Sequence, residues 1–200
     1  MGNTFRSGLK ARLILPYKRR WIDALCVRSP SYPVNRAYSS FSSGVNHGTF
    51  LHLAHEEGLI SNASIHAGIR APVANKHHDL NNDARCGFSL VKARDIDRIG
   101  IHGIINKLKA RVGSNKVYIS VDIDVLDPAF APATGTAEPG GWTSRELLSV
   151  LDGLEGLKVI GADLVEVSPA YDSAGETTGL AAAEVVHSLI TLMVATPVEK

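Results

Sequence analysis

The chain has 200 residues, 44% of them hydrophobic and 20% charged, which suits one globular domain with a sizeable core. A formal net charge of +1 argues against a nucleic-acid binder, and two cysteines, Cys26 and Cys86, offer neither a disulfide framework nor a zinc spacing. No apolar run approaches the roughly eighteen residues that span a bilayer, so no membrane partner is expected.

The overall charge conceals an asymmetry. Up to Val45 eight Lys and Arg face a single acid, Asp23, whereas acids outnumber bases in the remainder. Residues 1–43 are Arg- and Ser-rich and close on Arg36-Ala-Tyr-Ser-Ser-Phe-Ser-Ser, the composition of a mitochondrial transit peptide ending in a cleavage-like site. The alternative is an unrelated head joined to the domain by an alternative start or an error of gene prediction, which leaves a cytoplasmic or secreted location open. The head shows no core periodicity and is expected to be poorly ordered, with the domain occupying 44–200.

In chain order, Thr49 to Gly58 predicts a short helix stopped by glycine, and Ser64 to Arg70 a strand. Lys76 to Arg85 is polar and is expected to be loop, and Phe88 to Lys92 is a short strand. Ile101, Ile104, Ile105, Leu108 and Val112 are spaced for one face of a helix. Val117-Tyr118-Ile119-Ser120-Val121 has the β-branched and aromatic content of a strand buried on both faces. Thr143-Ser-Arg-Glu146 is a capping box, followed by an apolar stripe at Leu147, Leu148, Leu151 and Leu154. Lys158 to Val167 reads as another buried strand and Leu180 to Met193 as a closing helix. This alternation of strands and helices points to an α/β fold with a parallel sheet.

The central strand runs into Asp122, Asp124 and Asp127 and then into a Pro-, Gly- and Thr-rich loop from Pro128 to Gly141. A D-x-D after a strand can be no more than a solvated turn or a helix cap. In an open parallel sheet, however, ligands gather beyond the carboxyl ends of strands, and two close carboxylates in a dry site need either a proton or a metal ion. Oxygen donors favour a hard divalent ion such as Mn²⁺, Mg²⁺ or Ca²⁺ over zinc.

The run Ser120-Val-Asp-Ile-Asp-Val-Leu-Asp-Pro-Ala-Phe-Ala-Pro-Ala-Thr-Gly-Thr136 resembles the last metal-binding signature of the ureohydrolase (arginase/agmatinase) family, with a flavour closest to agmatinases. The similarity extends from about Gly44 to Met193. It implies a three-layer α/β/α fold with a parallel sheet, a two-manganese centre, hydrolysis of a small guanidino substrate to urea, and a homo-oligomer. Matched to the family's motifs, Asp122 and Asp124 are metal ligands and Glu166, in Asp163-Leu-Val-Glu-Val-Ser-Pro, holds the guanidinium. Thr136 lines the pocket, and His47, in Asn46-His-Gly-Thr, is the histidine at the site mouth that carries a proton to the leaving amine. Asp127 reads as loop-fixing, and Asp163 as structural because it would face away from Glu166 on an ideal strand.

The family draws four of six metal ligands from a Gly-Gly-Asp-His loop and an Asp-Ala-His-x-Asp strand end, and neither motif occurs in this sequence. The expectation is a partial ureohydrolase domain, lacking N-terminal strands, with an impaired agmatinase-like site for cleaving agmatine to putrescine and urea. The alternative is a non-catalytic paralogue that associates with full-length subunits.

Overall fold

The computed structural model describes residues 23–27, 50–70, 81 and 83–198. Five parallel strands form one sheet: β1 (Asp23–Val27), β2 (Ser64–Ile69), β3 (Phe88–Lys92), β4 (Lys116–Asp122) and β5 (Lys158–Val165). Their order is β3-β2-β1-β4-β5, every neighbouring pair parallel. Because all strands run the same way, the carboxyl ends of β2, β4 and β5 open on one edge, where the site lies.

Among the described residues the sheet is accompanied by the helices α1 (Phe50–Glu56), α2 (Ile96–Val112), α3 (Ser144–Asp152) and α4 (Thr177–Ala195). Val117, Ile119 and Val121 of β4 alternate into one fully buried face. There they join Ile104 and Leu108 of α2, Leu147 and Leu151 of α3, and Val185 and Leu189 of α4 in the main core. The opposite face is covered at β2 and β3. Phe88 packs with Ile60 and Cys86 in a smaller cluster against Leu51 and Ala54 of α1, and the His66 ring stacks on Phe88 at 4.1 Å. Helices on both faces of a parallel sheet make the three-layer α/β/α architecture implied by the motif.

The capping box is as expected: Thr143 Oγ1 accepts from Glu146 N at 3.1 Å and Glu146 Oε2 accepts from Thr143 N at 2.8 Å. Four expectations need correction. The head is not without a core element, because β1 lies inside it and sits between β2 and β4 at the centre of the sheet. Residues 83–85, read as polar loop, are helical, and Arg85 there pairs with Glu56 of α1. The strand read as buried over Lys158 to Val167 ends at Val165 and leaves Ile160 and Val165 exposed, whereas the predicted face from Ile101 to Val112 lies on α2 as read, just past a break at Gly100, whose φ of 66° is open to glycine but costly for other residues. Finally, α4 is 19 residues long with a mean hydropathy of 1.6, enough by length and composition to cross a bilayer. It packs instead through Val185, Leu189 and Leu192 onto the core.

Candidate active site at the strand ends

Asp122 is the last residue of β4, and a short 3₁₀ turn, Ile123–Val125, follows at once. Asp122 Oδ1 accepts the Asp124 N–H at 3.1 Å, so the first aspartate caps the turn that carries the second. Asp124 is 1% exposed and Asp122 8%. Carboxylates this buried are expensive to keep ionised unless hydrogen-bonded or neutralised. Thr136 supplies one such bond, its hydroxyl donating to Asp124 Oδ2 at 3.0 Å. The threonine expected to line the pocket therefore orients a site carboxylate.

Asp127 shapes the loop. Its Oδ1 accepts from Ala129 N at 3.0 Å and its Oδ2 from Gly140 N at 2.7 Å, stapling both ends of the Pro128–Gly141 loop to one side chain. These backbone donors, led by Ala129, with the nearby Arg70 cation, hold the carboxyl below its ordinary range against an opposing cost of burial. The backbone closes the same circle, with Asp127 N donating to Trp142 O at 2.9 Å and Trp142 N to Val125 O at 3.0 Å. A Cβ on Gly141 would lie 2.4 Å from Asp127 N, so only glycine fits this crossing. Trp142 anchors the assembly, fully buried, with its indole Nε1 donating to Ala93 O at 3.1 Å.

Glu166 follows β5 with φ at 66°, a left-handed backbone unusual for a non-glycine residue. Thr134 Oγ1 donates to Glu166 O at 3.0 Å, Ser168 N to Ala133 O at 2.9 Å, and Thr134 bridges Val167. These bonds draw the end of β5 against the aspartate loop. A Cβ on Gly135 would lie 3.9 Å from Glu166 Oε2, which puts this carboxylate beside the loop, one residue from Thr136. Asp163, earlier on β5, accepts from Tyr118 Oη at 2.9 Å.

The structure thus joins Asp122, Asp124, Thr136 and Glu166 into one neighbourhood. His47 lies outside the described residues. Arg70, at the end of β2, is a participant that sequence reasoning passed over. Its guanidinium donates to the carbonyls of Asp124 (2.6 Å), Val125 (3.3 Å), Leu126 (3.1 Å) and Glu138 (2.6 Å). Burial lowers its pKa, while Asp124, Asp127, Glu138 and Asp122 pull it back up. A charged residue ending a buried strand, level with the aspartates, is the one sequence signal that could have found it.

The all-oxygen character of Asp122 and Asp124 fits a hard divalent cation. Among the described residues, however, no three His, Cys, Asp or Glu side chains converge as a metal group. Two carboxylates do not fill the coordination shell of such an ion, and further donors would have to come from elsewhere.

Fold and site together define a class, the open parallel α/β proteins whose ligands collect beyond the carboxyl ends of the strands. Residues 34–191 match the model of the arginase family, and the chain belongs to that family. A Schizosaccharomyces pombe protein provisionally named agmatinase 3 is 54% identical over 160 residues, covering 80% of this chain and 39% of that protein. The agmatinase of Proteus mirabilis is 42% identical over 76% of this chain and 47% of its own length. Among solved structures, proclavaminate amidino hydrolase from Streptomyces clavuligerus superposes with a TM-score of 0.74 at 35% identity, over 86% of this chain and 56% of that one. The chain spans about half the length, or less, of these relatives.

Proposed function

We propose that the chain carries the C-terminal part of an agmatinase-type site, built to cleave a small guanidino compound, agmatine in the first instance, to an amine and urea. The observation that supports this is the buried Asp122–Asp124 pair sharing a loop with Thr136 while Glu166 is turned beside that loop. Asp122 and Asp124 would hold Mn²⁺ together with donors outside the described residues. Such an ion, when bound, supplies Lewis acidity and an acidified water.

The chain's own groups have separate tasks. Glu166 can accept paired N–H bonds from a planar guanidinium, a geometry that a carboxylate matches and a lone hydroxyl does not. Thr136 and the capping N–H of Asp124 fix the orientation of the aspartates. His47 would deliver a proton to the leaving amine, since imidazole titrates near neutrality.

Because the sequence lacks the other two ligand motifs of the family, this chain alone is proposed to bind metal weakly and turn over slowly. Metal analysis of the purified protein and urea release from agmatine test the proposal. Little bound Mn²⁺ with trace activity is expected, and robust turnover would overthrow the impaired site. Absence of any urea at saturating Mn²⁺, with Glu166→Gln identical to the parent chain in guanidine binding, would overthrow the assignment itself.

One observation favours a second reading, a non-catalytic partner of full-length subunits. On β5, which pairs only with β4 among the described strands, Ile160 and Val165 are exposed. Along α4, Leu180, Ile190 and Val194 are 64%, 56% and 71% exposed. Apolar surface beside an open strand edge drives association. Size-exclusion chromatography with and without a full-length paralogue tests it, and a well-behaved free monomer that ignores the paralogue counts against it.

A further inference from the structure

The 3₁₀ turn that carries Asp124 is capped at its start by Asp122, and its far end poses a separate problem. The carbonyls of Asp124, Val125 and Leu126 all turn toward one side, and Glu138, from the opposite limb of the loop, adds a fourth. Like-oriented carbonyl dipoles at the end of a helical turn repel one another and are costly to leave without donors when removed from water. Val125 O already accepts from Trp142 N at 3.0 Å, and a multidentate cation can bind all four carbonyls together.

Arg70 is that cation. Its Nη2 serves Asp124, Leu126 and Glu138, its Nη1 serves Val125, and its Nε reaches Glu138 at 3.0 Å. The planar fork spans both limbs of the loop, and the half-buried side chain extends from β2, two strands away from β4. A lysine ammonium at the same place is a single point of charge and cannot meet four acceptors spread over two limbs. Thr136 orients the Asp124 carboxylate by its side chain, whereas Arg70 acts on the backbone that presents it.

We propose that Arg70 is a positioning residue: by gathering four carbonyls from both limbs of the 124–138 loop, it sets the backbone that aims Asp124, and through it the divalent-cation affinity of the aspartate pair. The affinity part rests on the reading that Asp122 and Asp124 hold such a cation. The loop-shaping part does not.

The full chain and its Arg70→Lys and Arg70→Met variants would be compared by hydrogen exchange of backbone amides and by Mn²⁺ titration followed by electron paramagnetic resonance. Both variants are expected to lose protection at Asp127 and Trp142, whose amides close the loop, while amides of α2 and β3 stay protected. Mn²⁺ affinity is expected to fall about ten- to hundredfold in both, the usual loss when a group that orients a ligand is removed. A lysine variant matching the parent chain in exchange and affinity would overturn the proposal, since charge alone would then suffice. Exchange rising equally in α2 and β3 would overturn it in favour of general support of the fold, and local loosening with unchanged Mn²⁺ affinity would overturn the link to the aspartates. If the parent chain itself binds no Mn²⁺, the cation-site reading has failed, and the exchange contrast alone decides whether Arg70 shapes the loop.

Discussion

The aspartate loop, at the carboxyl ends of the strands, and helix α4, which runs from that loop back to the turn before β5, are built on opposite terms. In the loop almost every polar group described has a partner: Asp127 staples two amides, Trp142 closes the backbone circle, Thr136 holds Asp124 and Arg70 collects four carbonyls. On α4 one face is sealed into the core by Val185, Leu189 and Leu192, while the other shows Leu180, Ile190 and Val194 to solvent. The contrast teaches that the shape of the candidate site comes from local, polar bonding. The outer face of α4 is held by no such bonds among the described residues and presents apolar side chains.

The contrast is broken most severely at its anchor. Trp142→Ala removes a fully buried ring and an indole hydrogen bond, and is expected to cost about 3–5 kcal/mol. Denaturant unfolding measures the loss; a cost below about 1 kcal/mol would mean that the loop does not rely on this ring. Gly141→Ala comes next, because its Cβ would be forced onto the backbone of Val125, Leu126 and Asp127. About 1–3 kcal/mol is expected, and thermal unfolding with unchanged midpoint would show that the loop can step aside.

Asp127→Asn has a smaller effect and sharpens the comparison through pH. The native carboxyl is held below its ordinary value of 3.8, so its contribution is fully present above that value and is lost as pH falls through the depressed native one. The variant does not ionise and keeps only one of the two acceptor oxygens, so it is expected to lose about 0.5–1 kcal/mol at neutral pH and to show less acid sensitivity below pH 4. Urea titrations across pH 2–7 would reveal it, and parallel acid profiles for both proteins would contradict it. The smallest effect is expected on the far side: Ile190→Lys, on the exposed face of α4, should change stability by less than about 0.5 kcal/mol while reducing self-association in size-exclusion chromatography. A large loss of stability there would mean that this face is covered within the chain.

Much of the body was legible from residue pattern alone. The β-branched run of β4, the capping box of α3 and the D-x-D beyond an apolar strand are signals whose causes are local. What escaped depends on distance or on single backbone angles. β1 is five residues, Asp-Ala-Leu-Cys-Val, too short to announce itself within a basic, Ser-rich stretch. Arg70 meets partners more than fifty positions away, and no periodicity encodes that reach. The β5 strand was drawn two residues too long, since nothing about the letter Glu foretells a left-handed turn at position 166. The apolar length of α4 was underestimated because its alanines and lone Glu184 break the look of a continuous run without lowering its mean hydropathy below the spanning range.

The backbone at Glu166 has one more implication. A side chain held at positive φ costs about 1 kcal/mol relative to glycine, so Glu166→Gly would be expected to toughen the fold while deleting the proposed guanidinium receptor. Any effort to harden this protein by selecting for heat resistance alone would thus be drawn to discard the carboxylate proposed to receive the substrate.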